Sequence, residues 1–248
     1  MKSNSTTDPL IKFFRTGEHE CSYLPDQQAR TLFLDPELSY SQTLYEELTH
    51  AGFRRSGKHL YRPDCMSCQS CIASRIPVDD FQLNRRFRRI MKRNQDVRIE
   101  LRPCHFDEAD YRLFERYVNE RHADGDMYPA NEANYRDFLT VDRDFSFQVR
   151  YLVDDQLIGI GVTDRLNTGL SAIYTFFDPD QASRSLGTYS ILKQIELCKE
   201  FKLPYLYLGY WIPNCRKMEY KAHYQPIELL LSGRWQGVEF KPKKPSDA

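Results

Sequence analysis

The run Phe147-Gln-Val-Arg-Tyr-Leu-Val153-Asp-Asp-Gln-Leu157-Ile-Gly-Ile-Gly-Val-Thr163 sets two apolar segments on either side of Asp154-Asp155. Two such segments joined by turn-forming residues predict a β-hairpin over 147–153 and 157–163. A third strand is expected over 170–177, ending at Asp178-Pro179. A helix follows over about 185–201, and Pro204 prevents its continuation. The segment 205–211, Tyr-Leu-Tyr-Leu-Gly-Tyr-Trp, is uncharged and reads as a strand buried on both faces.

Strand–strand–strand–helix–strand is the order of the acetyltransferase (GNAT) type of acyltransferase fold. The expected class is therefore α/β (α+β) and GNAT-like. Upstream, Ser39 and Gln42 have capping-box spacing ahead of a helix over 40–51, whose apolar face is Leu44, Tyr45 and Leu48 and whose C-cap is Gly52. Residues 53–62 read as a strand, 76–78 as a short extended piece and 97–102 as another strand. A basic helix is expected to begin near Asn84, and a second helix spans 106–122 with Tyr111, Phe114, Tyr117 and Val118 inward. Residues 123–134, with Gly125 and Pro129, read as a loop. The resulting division is a cysteine-containing, basic-helix region over 1–140, whose order of elements is compatible with a degenerate GNAT-like half although the two halves share no clear sequence repeat. A GNAT-like transferase half follows over 141–240, with a frayed tail at 241–248.

A chain of 248 residues that is 41% hydrophobic can bury one large core or two small ones. Aromatic residues at 13% go against disorder. No apolar run reaches the roughly 20 residues that cross a bilayer. Residues 1–8 are polar, unlike a signal peptide, so the cytoplasm is the expected compartment. Seven cysteines in that setting read as thiols or ligands, not as a disulfide framework. Formal net charge is zero, yet Arg85, Arg86, Arg88, Arg89, Lys92, Arg93 and Arg98 crowd a stretch whose only acid is Asp96. A neutral protein with one basic stripe can hold a phosphate backbone locally.

Four segments carry candidate chemistry. Cys65-Met-Ser-Cys68-Gln-Ser-Cys71 has the spacing of a metal or cluster site, with Cys21 as fourth ligand; an unliganded, redox-sensitive thiol patch is the alternative. Cys104, Cys198 and Cys215 stand alone and read as packing residues. Arg85, Arg88, Arg89 and Lys92 share one helical face, with Phe87 and Met91 turned inward, and no acid lies at i+4 from any of the three arginines. A solvated surface and a contact with an RNA backbone both fit that face. Arg184-Ser-Leu-Gly187-Thr-Tyr189-Ser190 resembles the acetyltransferase pyrophosphate loop, but Tyr189 occupies the place of a small residue and argues against acetyl-CoA. A plain tight turn would also account for Gly187. In Leu208–Lys221, Gly209 interrupts an apolar strand where a ligand can approach, and Lys217, Tyr220 and Lys221 have the spacing to face the strand end.

These residues, taken together, resemble a known family. Tyr174-x-Phe176-x-x-Pro179, Ser185-Leu-Gly187-x-x-Ser190, Gly209-Tyr210-x-Ile212-x-x-Cys215-x-Lys217-Met218-x-Tyr220-Lys221 and Tyr224-x-Pro226 are similar to the arginyl-tRNA–protein transferases. So are Cys21-x-Tyr23 and Tyr61-Arg62-Pro63. The cysteine spacing, Asp124-Gly-Asp126-Met127 and Gly209-Tyr-Trp211 resemble the bacterial leucyl branch. The resemblance implies a duplicated GNAT-like fold, leucyl-tRNA as donor and proteins with N-terminal Asp or Glu as acceptors; a monomer that needs no cofactor for the chemistry is expected. The cluster-ligand role that the resemblance implies carries over only to Cys21, because the spacing around Cys65 departs from the eukaryotic pattern; an iron–sulfur cluster or zinc on Cys21, Cys65, Cys68 and Cys71 is the expectation from spacing.

On that basis Tyr174, Gly187, Ser190, Lys217 and Tyr220 are expected to surround the aminoacyl ester in positioning roles. Arg75 is expected to clamp the acceptor's side-chain carboxylate, with Lys217 and Lys221 as alternatives. Arg85, Arg88, Arg89, Lys92 and Arg93 are expected to hold tRNA. An ordinary acetyltransferase, a metal-containing RNA-binding module and an arginine donor are the rival readings.

Overall fold

The computed structural model describes residues 11–125, 127–141 and 143–240; the polar lead over 1–8, Asp126 and the tail over 241–248 lie outside the described residues. Strand β1 (Phe13–Arg15) comes first, and β2 (His19–Glu20) with β3 (Gln28–Ala29) forms a separate ribbon. β4 (Thr31–Leu34), β5 (Arg54–Ser56) and β6 (His59–Pro63) join β1 in a sheet ordered β1-β4-β6-β5. Helix α1 (Gln42–His50) is capped by Ser41, not Ser39, because the Ser41 hydroxyl accepts from the Leu44 amide at 3.2 Å. The expected strand over 53–62 is a hairpin that turns at Gly57, where an added Cβ would stand 2.5 Å from the Asp137 carbonyl oxygen.

Eight strands form the main sheet: β7 (Ile72–Pro77), β8 (Arg98–Pro103), β9 (Ser146–Val153), β10 (Gln156–Arg165), β11 (Gly169–Phe177), β12 (Tyr205–Trp211), β13 (Ile227–Leu231) and β14 (Arg234–Val238). Their order is β14-β13-β7-β12-β11-β10-β9-β8. The β9–β10 hairpin turns through Asp154 and Asp155, both at positive φ. Between β11 and β12 lies α5 (Leu186–Glu200), giving the strand–strand–strand–helix–strand order of the sequence reading. β7, from the N-terminal region, is inserted between β12 and β13.

Helices α2 (Arg85–Arg93) and α5 share one apolar cluster with Val149, Tyr151 and Leu206 of the sheet. Helices α3 (Glu108–Arg121) and α4 (Glu132–Leu139) share another with Ile160, Val162 and Phe176. α4 starts inside the segment expected to be a loop, because the Asn131 side chain accepts from the Asn134 amide at 2.8 Å and starts a helix of only eight residues.

Candidate active site

β11 and β12 run parallel but pair only at Gly169–Tyr205, Leu170–Leu206 and Ser171–Tyr207. Residues past that point on both strands, Ala172 to Thr175 and Leu208 to Tyr210, line a cleft of about 680 Å³. The separation of two parallel strands at their C-terminal ends is where open α/β sheets take ligands. On the other edge of β12 the register against β7 shifts between Tyr207 and Gly209, and Gly209 sits at φ +76, a backbone conformation that suits glycine.

The first turn of α5 contributes Gly187 and Thr188 to the cleft. Ser185 gives this helix no side-chain cap. The opening turn of a helix also carries N–H groups without intrahelical partners, with positive dipole character. A Cβ on Gly187 would meet only the Phe177 ring, at 3.6 Å. Tyr189 is turned into the core against Tyr151, so it does not stand over the loop, and the steric objection to acetyl-CoA read from the sequence does not hold. Tyr174 lines the cleft, and burial holds its phenol above the ordinary range. Ser190 is fully buried, accepting from Tyr151 Oη at 2.8 Å and Gln194 Nε2 at 3.0 Å, and does not reach the cleft.

After β12 the chain returns through a 3₁₀ turn, Glu219–His223, so that Lys217, Tyr220 and Lys221 all line the cleft. Lys217 extends across its mouth to Asp124 Oδ2 at 2.9 Å. Lys221 is buried, donating to the Tyr210 carbonyl and to Met218 Sδ at 3.2 Å. Burial and the Arg54 charge push its pKa down to about 7, with Cys215 and Cys71 opposing.

Two arginines of β5 reach the same cleft. Arg55 is paired with Asp164, whose carboxylate also accepts from Tyr45 and Ser146. Arg54 is 5% exposed and, among the described residues, donates only to the Phe53 and Ser74 carbonyls, at 3.0 and 3.4 Å. Its Nε has no hydrogen-bond partner among the described residues, and burial holds its pKa below the usual guanidinium value. Arg75, the expected carboxylate clamp, does not line the cleft. Its Nε donates to Glu228 at 2.7 Å, and its guanidinium lies 3.5 Å from the Tyr205 ring centroid and 4.4 Å from that of Trp235. Sequence reasoning missed Arg54. The available signal was an arginine doublet in a short strand, where adjacent residues cannot both face water on the same side.

The six cations of α2 point outward, while Phe87 and Ile90 are buried; Met91 is only partly so. No ion pair engages Arg85, Arg88, Arg89, Lys92 or Arg93 among the described residues. Phe87 stacks on Tyr224 at 5.0 Å and Arg86 reaches His223 at 3.4 Å, so the basic helix flanks the turn that carries Tyr220 and Lys221.

Cys21, Cys65, Cys68 and Cys71 line one cavity of about 470 Å³, which shares Tyr23, Tyr61 and Tyr210 with the cleft. Burial and the neighbouring thiols push Cys71 up to about 12. Among the described residues no three His, Cys, Asp or Glu side chains are grouped to hold a metal ion. No chemical step is assigned to a zinc or cluster.

Two family models match, described as Arginine-tRNA-protein transferase, N terminus, over residues 19–89, and C terminus, over residues 109–231. A protein of Alcanivorax borkumensis named aspartate/glutamate leucyltransferase is 51% identical over 91% of this chain and 93% of its own length. Proteins of the same name from Chromohalobacter salexigens and Pseudomonas aeruginosa are 50% and 51% identical, each over 91% of this chain and over 92% and 96% of their own. Among solved structures, the C-terminal domain of a putative lysylphosphatidylglycerol synthetase from Agrobacterium fabrum aligns over 79% of this chain and 63% of that one. Its TM-score is 0.40 at 10% identity, below the level at which a shared fold follows. Matched over residues 19–89 and 109–231, and half identical to these relatives over nine-tenths of its length, this chain belongs to the arginine-tRNA–protein transferase family.

Proposed function

We propose that this protein moves leucine from leucyl-tRNA to the α-amino group of proteins that begin with Asp or Glu, creating an N-terminal leucine that marks them for degradation. The observation that carries the reading is half identity, over nine-tenths of the chain, to proteins named for that activity. The cleft supports it. No acidic side chain is among the described residues that line it, whereas Val118, Met127, Phe177 and Ile191 are, which suits a leucyl donor better than an arginyl one.

The acceptor's α-amine attacks the ester carbonyl; a C–N bond forms, the C–O bond to the terminal ribose breaks, and the ribose hydroxyl leaves with a proton. With an ordinary pKa near 7.7–8.0, roughly a tenth of such amines are neutral at pH 7, so reaching the nucleophile costs only about 1 kcal/mol. Alignment of amine and ester contributes far more, up to about 7–11 kcal/mol in favourable cases. The first-turn amides of α5 at Gly187 and Thr188 are suited to the developing oxyanion. Tyr174, Lys217 and Tyr220 hold the aminoacyl end, and the α2 cations Arg85, Arg88, Arg89, Lys92 and Arg93 hold the acceptor stem. The protein acts as a cytoplasmic monomer in this reading, and no helix among the described residues is long and apolar enough to cross a membrane.

The test supplies an Asp-starting peptide separately with labelled leucyl-tRNA and arginyl-tRNA, with acetyl-CoA as control. Labelling from leucyl-tRNA alone is expected. Labelling from arginyl-tRNA alone would replace the donor, and none from either would remove the reaction.

A further inference from the structure

Charged side chains in a protein interior are paired, because desolvating an uncompensated ion costs too much. β5 presents two solutions side by side. Arg55 meets a carboxylate through two donors, Nε to Asp164 Oδ2 at 2.5 Å and Nη2 to Oδ1 at 2.8 Å, and a third donor reaches the Gly57 carbonyl at 2.8 Å. Arg54, one residue earlier and equally buried, meets no carboxylate among the described residues. Its two recorded hydrogen bonds go to backbone carbonyls, out of the five N–H donors a guanidinium offers. Its central carbon sits 5.4 Å from the Tyr207 ring centroid and 5.9 Å from that of Tyr210. Lys221, the other buried basic side chain of the cleft, has a carbonyl and a thioether for partners and likewise no acid among the described residues. Two buried basic side chains that open to one cleft, with no acid paired to either among the described residues, are suited to an anion supplied from outside.

We infer that Arg54, with Lys221 beside it, binds the side-chain carboxylate of the acceptor's first residue and so sets the requirement for Asp or Glu. The inference rests on the acceptor class proposed above and replaces Arg75 in that role. A planar guanidinium can take a carboxylate through two parallel N–H donors, which neither an amide nor an ammonium offers, so the subsite distinguishes Asp from Asn and Glu from Gln. No titration is needed for this selectivity, since the guanidinium stays charged at any physiological pH.

The experiment measures kcat/KM for peptides that begin with Asp and with Asn, using leucyl-tRNA, in the wild type, Arg54→Met, Arg54→Lys and Arg75→Met. Arg54→Met is expected to lower transfer to the Asp peptide roughly 100-fold and to collapse the Asp/Asn ratio toward one, with KM for leucyl-tRNA unchanged. Arg54→Lys, which keeps the buried charge and serves if the methionine variant does not fold, should lose about tenfold through the missing second donor. Arg75→Met should keep the wild-type ratio. An unchanged Asp/Asn ratio in either Arg54 variant overturns the assignment. Direct binding of the two peptides by calorimetry is measured alongside. A wild type that binds the Asp peptide in preference but transfers no leucine would defeat the proposed reaction and leave the subsite standing. A wild type that binds both peptides equally would defeat the subsite itself.

Discussion

Arg55 and Asp164 form a two-donor ion pair at 2.5 and 2.8 Å, with both side chains shut from solvent, and so fasten the N-terminal sheet to the end of β10. Such a pair adds little net stability over an apolar replacement, but removing one partner leaves a buried charge uncompensated. Asp164→Asn is expected to destabilise the protein by about 3–5 kcal/mol. Urea unfolding monitored by circular dichroism measures this, and a loss below about 1 kcal/mol would mean that the site rehydrates.

Gly187→Val tests the α5 turn without disturbing the core. The added Cβ meets only Phe177, at 3.6 Å, so the fold and its melting temperature should stay close to wild type. Transfer should nonetheless fall at least about 100-fold, as it does when one oxyanion donor is displaced. Turnover within a factor of a few of the wild type would remove this turn from the site.

Neutralising Arg85, Arg88 and Arg89 together should raise KM for leucyl-tRNA and leave that for the peptide unchanged. Each lost phosphate contact should flatten the slope of log KM against log salt by about one. An unaltered salt dependence would return this helix face to plain solvation.

Lys221 makes stability depend on pH in the alkaline range. Its pKa falls from 10.5 to about 7 on folding, chiefly through burial, so between those values the unfolded chain holds the proton more tightly. Its contribution to stability therefore climbs with pH from about 7 to 10.5 and is least favourable below 7. Lys221→Met should be more stable than wild type at pH 6, by on the order of 4 kcal/mol, and the gap should close by about pH 10.5. A gap that stays constant across that range would mean the amine titrates normally in the fold.

Local chemistry made much of the main sheet readable in advance. Asp154-Asp155 takes the positive φ that its residue types allow, and the Asn84 side chain starts α2 by accepting from the Phe87 amide at 2.9 Å. The gathering of Tyr174, Gly187, Lys217, Tyr220 and Lys221 at one strand end followed from the same order of elements. What could not be read depends on partners far along the chain. Arg75 is drawn away from the cleft by Glu228, 153 residues on, and Arg55 is matched by Asp164, 109 residues on. Neither acid marks itself as a partner in its own neighbourhood. Gly57 hid a hairpin inside an apparent strand because the atom that demands glycine, the Asp137 carbonyl oxygen, belongs to α4.

The insertion of β7 between β12 and β13 bears on how the chain comes off the ribosome. Strand β7 is made early, yet Tyr207, which pairs with Arg75, follows it by 132 residues. At typical elongation rates that interval lasts on the order of ten seconds. Throughout it, Ile72–Pro77 has neither of its hydrogen-bonding neighbours. An unpaired, largely apolar strand is a substrate for chaperones and for misassociation between nascent chains. A truncated product ending before Tyr205 would keep that liability permanently, because no part of it can supply the missing strand.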